Sequence, residues 1–389
     1  MRIPCNLLSG SVGTGTEKLI NKDVKLLRMG NNMKKIIFTG GGTAGHVTPN
    51  LALMDALKDR YEMEYIGSYQ GIEKELVEKA GIPYHGISSG KLRRYFDWKN
   101  FTDPFRVLKG FGEAKKLMRS QKPDLVFSKG GFVAVPVVIA AKRAGVPVII
   151  HESDMTPGLA NKLCMSSADK ICVNFPETLK YLPEEKAVLT GTPIRKELFM
   201  GDRLRGLQFC GFSTEKPVIL VVGGSTGAAA LNEAVWNLLP TLLKDFQIVH
   251  LCGKGKANPA YDGREGYAQF EYISKELRDI FAASAMVVSR AGANAICEIL
   301  ALKKPNILVP LTAAASRGDQ ILNAESFEQQ GYSYLLKEEE LTNETLLTAI
   351  REVYENREKY LNAMEHKAGT DATQCICAMI DALIGEENK

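Results

Sequence analysis

Two glycine-rich turns of the same design, one in each half of the chain, restrict the fold more than any other feature of these 389 residues. The first, Gly40-Gly41-Gly42-Thr43-Ala44-Gly45-His46, follows the apolar run Lys35-Ile36-Ile37-Phe38. The second, Gly223-Gly224-Ser225-Thr226-Gly227-Ala228, follows Pro217-Val218-Ile219-Leu220-Val221-Val222. Each reads as buried strand, tight turn, helix. Glycine lets the backbone approach a phosphate, and a helix start offers free N–H groups and the positive end of a dipole. Two such turns can hold two phosphorylated molecules face to face. That points to group transfer between a nucleotide-bearing donor and a phosphorylated acceptor.

Strands and helices alternate around these turns. Strands are expected at 35–39, 62–67, 124–128, 147–151, 170–174 and 187–190, then at 217–222, 246–251, 268–272, 285–289, 305–310 and 333–336. Helices fall between them at 50–58, 71–79, 104–119, 133–144 and 157–166, then at 228–243, 275–283, 293–302 and 319–329. Strands apolar on nearly every residue, such as Val218 to Val222, are buried on both faces, the mark of parallel sheets covered by helices. The expected class is therefore α/β, with two Rossmann-like doubly wound domains facing across a cleft. The break falls in the glycine-containing stretch 196–213. Two amphipathic segments, 343–366 and 371–384, close the chain, and the last can pack back across the first domain.

Residues 1–32 lack both periodicity and a secretory apolar core, and are expected to be disordered or an over-long gene start. No apolar run approaches the ~20 residues that span a bilayer. The eight cysteines are scattered and read as reduced thiols rather than a disulfide or zinc framework.

The segment 91–119 stands apart, with nine Lys or Arg against three Asp or Glu. Arg93, Arg94 and Lys109 are interleaved with Phe96, Trp98, Phe101 and Phe105. It is either a solvated basic face or a docking patch for an anionic membrane surface, where each cation adds on the order of 1 kcal/mol. No nucleic-acid-binding module accompanies it.

The candidate chemistry lies at strand ends. The first turn does not fit the dinucleotide fingerprint, because Tyr65-Ile66-Gly67-Ser68 ends the second strand without an acidic residue. A P-loop is excluded by the lack of Gly-Lys-Ser/Thr. His46 follows the first turn at a helix start, where the dipole disfavours its charged form. It can take a proton from a sugar hydroxyl, or serve only as a cap or phosphate contact. Asp154, in His151-Glu152-Ser153-Asp154, is a second candidate base, or else caps the helix that follows. Ser128-Lys129-Gly130-Gly131-Phe132 is another anion-friendly turn on the same edge. Arg195 offers a fork of donors suited to phosphate. Glu298, five residues into a helix, suits the vicinal hydroxyls of a ribose, and Asp319 and Gln320 open a helix with groups that can read sugar hydroxyls.

Together these segments resemble the MurG family of N-acetylglucosaminyltransferases, from about Lys34 to the C-terminus. The motifs that carry the likeness are Gly-Gly-Gly-Thr-Ala-Gly-His, Ser-Lys-Gly-Gly-Phe, His-Glu-Ser-Asp, Gly-Thr-Pro-Ile-Arg, Gly-Gly-Ser-Thr-Gly-Ala, Arg-Ala-Gly-Ala with its glutamate, and Asp-Gln ahead of Asn323-Ala324. The resemblance implies the GT-B fold and inverting transfer of N-acetylglucosamine from UDP to undecaprenyl-pyrophosphoryl-MurNAc-pentapeptide (lipid I). It implies no metal or other cofactor.

By the same resemblance, 33–196 is an acceptor- and membrane-binding domain and 197–366 a UDP-sugar-binding domain, with 367–389 a returning helix. Thr43, Ala44, Gly45, Arg195, Ser225, Thr226, Gly227, Ile273, Ala293, Glu298, Asp319 and Gln320 are implied to meet the donor. Gly41, Gly42, Gly130 and Gly131 are implied to meet the acceptor pyrophosphate, with His46 or Asp154 as base. The protein is expected at the cytoplasmic face of the membrane as a peripheral protein, with other cell-wall synthesis proteins as compatible partners. Family members commonly carry asparagine at position 154 and glutamine at 319, so both aspartates are departures. A diacylglycerol glycosyltransferase, a UDP-sugar epimerase and a UDP-sugar-binding scaffold are the rival readings.

Overall fold

The structure, a computed structural model, describes residues 33–90, 103–224, 228–313, 318–367 and 371–386. The expectation for 1–32 lies outside them, as do Arg93, Arg94, Phe96, Trp98, Phe101, Ser225, Thr226 and Gly227.

Two parallel sheets form the frame. The first contains β1 (Lys35–Thr39), β2 (Glu62–Ser68), β3 (Tyr84–Ile87), β4 (Leu125–Ser128), β5 (Val148–Glu152), β6 (Lys170–Val173) and β7 (Ala187–Leu189), in the order β3-β2-β1-β4-β5-β6-β7. The second contains β8 (Val218–Val222), β9 (Gln247–Leu251), β10 (Tyr267–Phe270), β11 (Ser284–Ser289), β12 (Asn306–Leu308) and β13 (Tyr334–Leu335), in the order β10-β9-β8-β11-β12-β13. Both orders reverse beside their first strand, between β1 and β4 and between β8 and β11. That switch point opens a crevice at the carboxyl ends of the strands.

The central strands are buried on every residue or nearly so, β4 and β5 throughout. Helices cover both faces, and the cores of each lobe pack against opposite sides of its sheet.

Three expectations of secondary structure change. The strand β3 was not expected: its four residues, Tyr-His-Gly-Ile, are too few and too mixed to show a pattern. The stretch around the domain break contains a helix, Arg203–Cys210, which packs on Leu277–Ala283 of the second lobe. Gly206 permits that approach, since a Cβ there would meet the Asp279 carbonyl oxygen at 2.2 Å. The segment 343–366 is two helices, Asn343–Glu355 and Arg357–Lys367, broken at Asn356.

The last helix, Ala372–Glu386, returns to the first lobe. Ile376, Ile380 and Ile384 join the core formed by Ile36, Phe38 and Leu53. Asp381 anchors it, accepting from Tyr61 Oη at 2.6 Å and from Arg60 Nη1 at 2.8 Å.

The helix Asp103–Gln121 covers the second part of the segment 91–119 singled out for charge and aromatics, and Phe105 falls in its first turn. Leu108 is 68 % exposed, Val107 41 %, and the Lys109 ammonium lies 3.9 Å from Glu113. No helix of the described residues is long and apolar enough to cross a membrane.

Candidate active site

The turn after β1 and the turn after β4 flank the first switch point and touch. Gly130 and Gly131 have φ of +88° and +85°, and a Cβ on Gly131 would lie 2.3 Å from the Gly41 carbonyl oxygen. Gly42, at φ +91°, donates its N–H to Glu73 Oε2 at 3.1 Å. Glu73 is 1 % exposed and also accepts from the Ser68 N–H at 3.1 Å, so a buried carboxylate braces the glycine turn from beneath. The sequence reading missed this brace.

His46 ends a short 3-10 turn, Ala44–His46, entered through Thr43 in extended conformation. Its Nδ1–H donates to the Lys129 carbonyl oxygen at 2.9 Å, because a carbonyl can only accept. In the neutral ring the lone pair is then on Nε2. His46 is thus not a helix cap. It is a ring held by the neighbouring turn, in the tautomer a general base needs.

Lys129 departs from the expected anion-binding turn. Its side chain is buried, with Nζ 2.6 Å from His151 Nδ1 and 3.1 Å from Thr192 Oγ1. Gly130 is buried and Gly131 half-buried, and the amine of this turn is directed into the lobe.

Asp154 does not cap the next helix, Leu159–Cys164, whose N-cap is Gly158. The buried Glu152 carboxylate organises that loop instead, accepting from the N–H of Ser153, Asp154 and Gly158 at 2.8–3.0 Å. Asp154 Oδ1 accepts from Asn323 Nδ2 of the second lobe at 3.2 Å.

Further contacts join the carboxyl-end loops of the two lobes. Asn323 Oδ1 accepts from the Met155 N–H at 3.1 Å, and Thr156 Oγ1 donates to Asp319 at 2.9 Å. Asn294 Nδ2 donates to the Gly45 carbonyl oxygen at 2.8 Å. Asp319 therefore meets the first lobe, while Gln320 Oε1 accepts the Leu311 N–H at 3.1 Å and fixes the loop after β12. Asn294 and Asn323, which join second-lobe helices to first-lobe loops far away in sequence, had no role assigned from the sequence.

Among the second-lobe helices that open without a side-chain cap are Ala229–Leu242, after the second glycine turn, and Ala293–Ala301, after β11. Their leading N–H groups are available to an anion. Glu298 lies on the latter helix, and Arg195 Nη2 reaches it at 3.2 Å from the linker. Burial raises the Glu298 carboxyl above its ordinary range, and Arg195 pulls it back in part. Ala293 is buried at the first position of that helix, and Ile273 lies in the second-lobe core just past β10. A narrow crevice between the lobes is lined by Thr48 and Pro49, by Thr192, Pro193, Ile194 and Arg195 of the linker, and by Asn294 and Glu298.

Two Rossmann-like lobes, with a glycine turn at the first switch point, uncapped helix starts on the second lobe and His46 held beside the crevice, define a glycosyltransferase of the two-lobed GT-B class. The glycosyltransferase family 28 N-terminal domain matches residues 36–173, and the family's C-terminal domain matches 218–376. The chain is 67% identical over 350 residues to the UDP-N-acetylglucosamine–N-acetylmuramyl-(pentapeptide) pyrophosphoryl-undecaprenol N-acetylglucosamine transferase of Lachnoclostridium phytofermentans, covering 90% of this chain and 99% of that one. It is 58% identical over 349 residues to the Clostridium tetani protein of the same name, covering 90% of this chain and 98% of that one. Among solved structures, Acinetobacter baumannii MurG superposes with a TM-score of 0.70 at 26% identity, over 90% of this chain and 99% of that one. The chain belongs to glycosyltransferase family 28 and, within it, to the MurG family that these relatives represent.

Proposed function

We infer that this protein is the hexosyltransferase that moves N-acetylglucosamine from UDP-N-acetylglucosamine to the 4-hydroxyl of MurNAc in lipid I, giving lipid II, a step of peptidoglycan synthesis. The observation that carries this is the near-full-length likeness to transferases of that name, at 67% identity. The geometry supports the chemistry. A base at the first switch point removes the proton of the acceptor hydroxyl. That oxygen attacks the anomeric carbon from the face opposite UDP, the glycosidic bond to the diphosphate breaks, and the configuration inverts.

We assign the base to His46, whose Nδ1–H is committed to the Lys129 carbonyl. Asp154, set against Asn323, is the alternative. Negative charge growing on the departing diphosphate meets the leading amides of Ala229–Leu242, the turn Ser225-Thr226-Gly227 and Arg195. Glu298 takes the ribose hydroxyls, the backbone near Ile273 and Ala293 takes the uracil, and Asp319 with Gln320 reads the sugar. Thr43, Ala44 and Gly45 line the donor side of the first turn, while Gly41, Gly42, Gly130 and Gly131 receive the acceptor pyrophosphate. A base supplies ~10²–10⁴-fold, so positioning and charge stabilisation carry most of the rest. The exposed Val107 and Leu108, beside Lys109, continue the basic and aromatic segment and support docking at the cytoplasmic membrane face.

The test is to mix the protein with UDP-N-acetylglucosamine and a short-chain lipid I analogue and look for UDP and the disaccharide lipid. Folded protein that makes neither refutes the reading, and epimerised donor formed without acceptor would favour the epimerase. For the base, His46→Ala and Asp154→Asn are compared. Near-full turnover in both eliminates both.

A further inference from the structure

The most deeply buried amine of the first lobe has no role in the chemistry described so far. Lys129 is 1 % exposed, no carboxylate is within ion-pair distance of its amine among the described residues, and burial lowers its pKa from 10.5 to about 7. Burying an amine this way is costly and normally avoided. Its hydrogen bonds show what it holds. His151 Nε2–H donates to the Gly191 carbonyl oxygen at 2.8 Å, so His151 Nδ1 carries a lone pair, which accepts from Lys129 Nζ at 2.6 Å. Lys129 Nζ also donates to Thr192 Oγ1 at 3.1 Å. Gly191 and Thr192 begin the linker that leads directly to Arg195 and, through it, to Glu298.

The backbone of the same residue faces the opposite way. Its N–H donates to the Thr39 carbonyl oxygen at 2.9 Å, and its carbonyl accepts from His46 Nδ1–H. One residue therefore ties the imidazole of the candidate base to the linker that carries the candidate diphosphate arginine. A methionine of similar length would fill the space without donating, so packing alone does not call for a lysine here.

The geometry points to Lys129 as a positioning residue. Through its own carbonyl it fixes the tautomer and placement of His46, and through His151 and Thr192 it makes that placement depend on the linker between the lobes. The inference rests on His46 acting as the base. It deepens the proposed function by making the acceptor-side proton transfer depend on the conformation of the donor-side hinge.

The experiment uses the full chain with Lys129→Met, Thr192→Val, Thr192→Ser and the Met/Val double variant. Turnover is measured with UDP-N-acetylglucosamine and a short-chain lipid I analogue, UDP affinity separately, and the His46 ring by 15N NMR. Lys129→Met should lower kcat about 10- to 100-fold, a fraction of what a base supplies. Donor KM and UDP affinity should stay within about threefold. The His46 nitrogens should lose the single Nδ1–H pattern and show mixed tautomers. Thr192→Val should shift kcat the same way by less, Thr192→Ser should restore it, and the double variant should be no slower than Lys129→Met, as expected for two ends of one link.

A Lys129→Met protein that melts like the wild type, with wild-type kcat and an unchanged His46 tautomer, overturns the inference. If Lys129→Met does not fold, the Thr192 pair decides: Val equal to wild type in kcat and tautomer overturns it, and Val slow with Ser restored supports it. Failure of the functional reading looks different, since the wild type then makes no disaccharide lipid. In that case the NMR signature still reports whether Lys129 orders His46.

Discussion

Gly131→Ala tests whether the two glycine turns must touch. Gly131 sits at φ +85°, and an alanine Cβ would lie 2.3 Å from the Gly41 carbonyl oxygen and 3.1 Å from its nitrogen. Both contacts are backbone, so no side chain can swing aside. Restoring an ordinary contact moves the two turns apart by about 1 Å, and the left-handed conformation adds about 1–2 kcal/mol for a residue with a Cβ. A displacement of that size between reacting groups costs about 10²-fold in rate. Gly145→Ala is the control: its φ is +76°, with nothing within 4 Å of the new Cβ. It carries the same backbone strain without the collision. Both variants should melt lower by about 2–4 °C per kcal/mol lost. Only Gly131→Ala should lose transfer, about 100-fold in kcat/KM for the acceptor. Initial rates and thermal melts of the two proteins side by side make the measurement. If Gly131→Ala keeps transfer within threefold of Gly145→Ala, the contact between the turns does not set the catalytic geometry.

Three further outcomes are expected. Glu298→Ala removes a charged partner worth about 1.5–3 kcal/mol, so UDP should bind about 10- to 100-fold more weakly by calorimetry, and an unchanged affinity would remove Glu298 from the donor site. Asp381→Ala releases Tyr61 and Arg60 from the last helix. Because the Arg60 pair is over a third exposed, the loss should be only about 1 kcal/mol, a drop in Tm of a few degrees with transfer intact, and lost transfer would contradict a purely structural anchor. His250 lies buried between Asn232 and Tyr267, each at 3.0 Å, and burial lowers its imidazole from 6.5 to about 4. The unfolded chain takes up that proton below pH 6.5 while the fold refuses it down to about 4, so stability present above pH 6.5 is lost as pH falls through that window, up to about 3 kcal/mol. Melts at pH 7 and pH 5 should therefore differ less in His250→Gln than in the wild type. An equal difference in both would mean another group sets the acid sensitivity.

Local chemistry made much of this protein legible from its sequence. A strand buried on both faces must be apolar on every residue, so Val218 to Val222 announced a parallel sheet without help from the rest of the chain. A backbone that turns sharply into a helix needs glycine, so both switch-point turns stood out, and His46 was noticed by its place at the end of one. What the sequence could not carry was where side chains reach. Lys129 in a glycine turn looks like a phosphate ligand, and only the folded chain shows its ammonium directed inward to His151 and Thr192. Asp154 read as a base or a helix cap, and only the folded chain shows that Gly158 is the N-cap and that Asn323, 169 positions away, donates to Asp154. Asn294 carries no local signature at all, because its bond joins it to Gly45 of the other lobe, 249 residues away. Periodicity and turn chemistry act over a few residues and are written in the chain. The pairing of loops across a cleft depends on how two independently built sheets are set against each other, and that is decided only when the lobes pack.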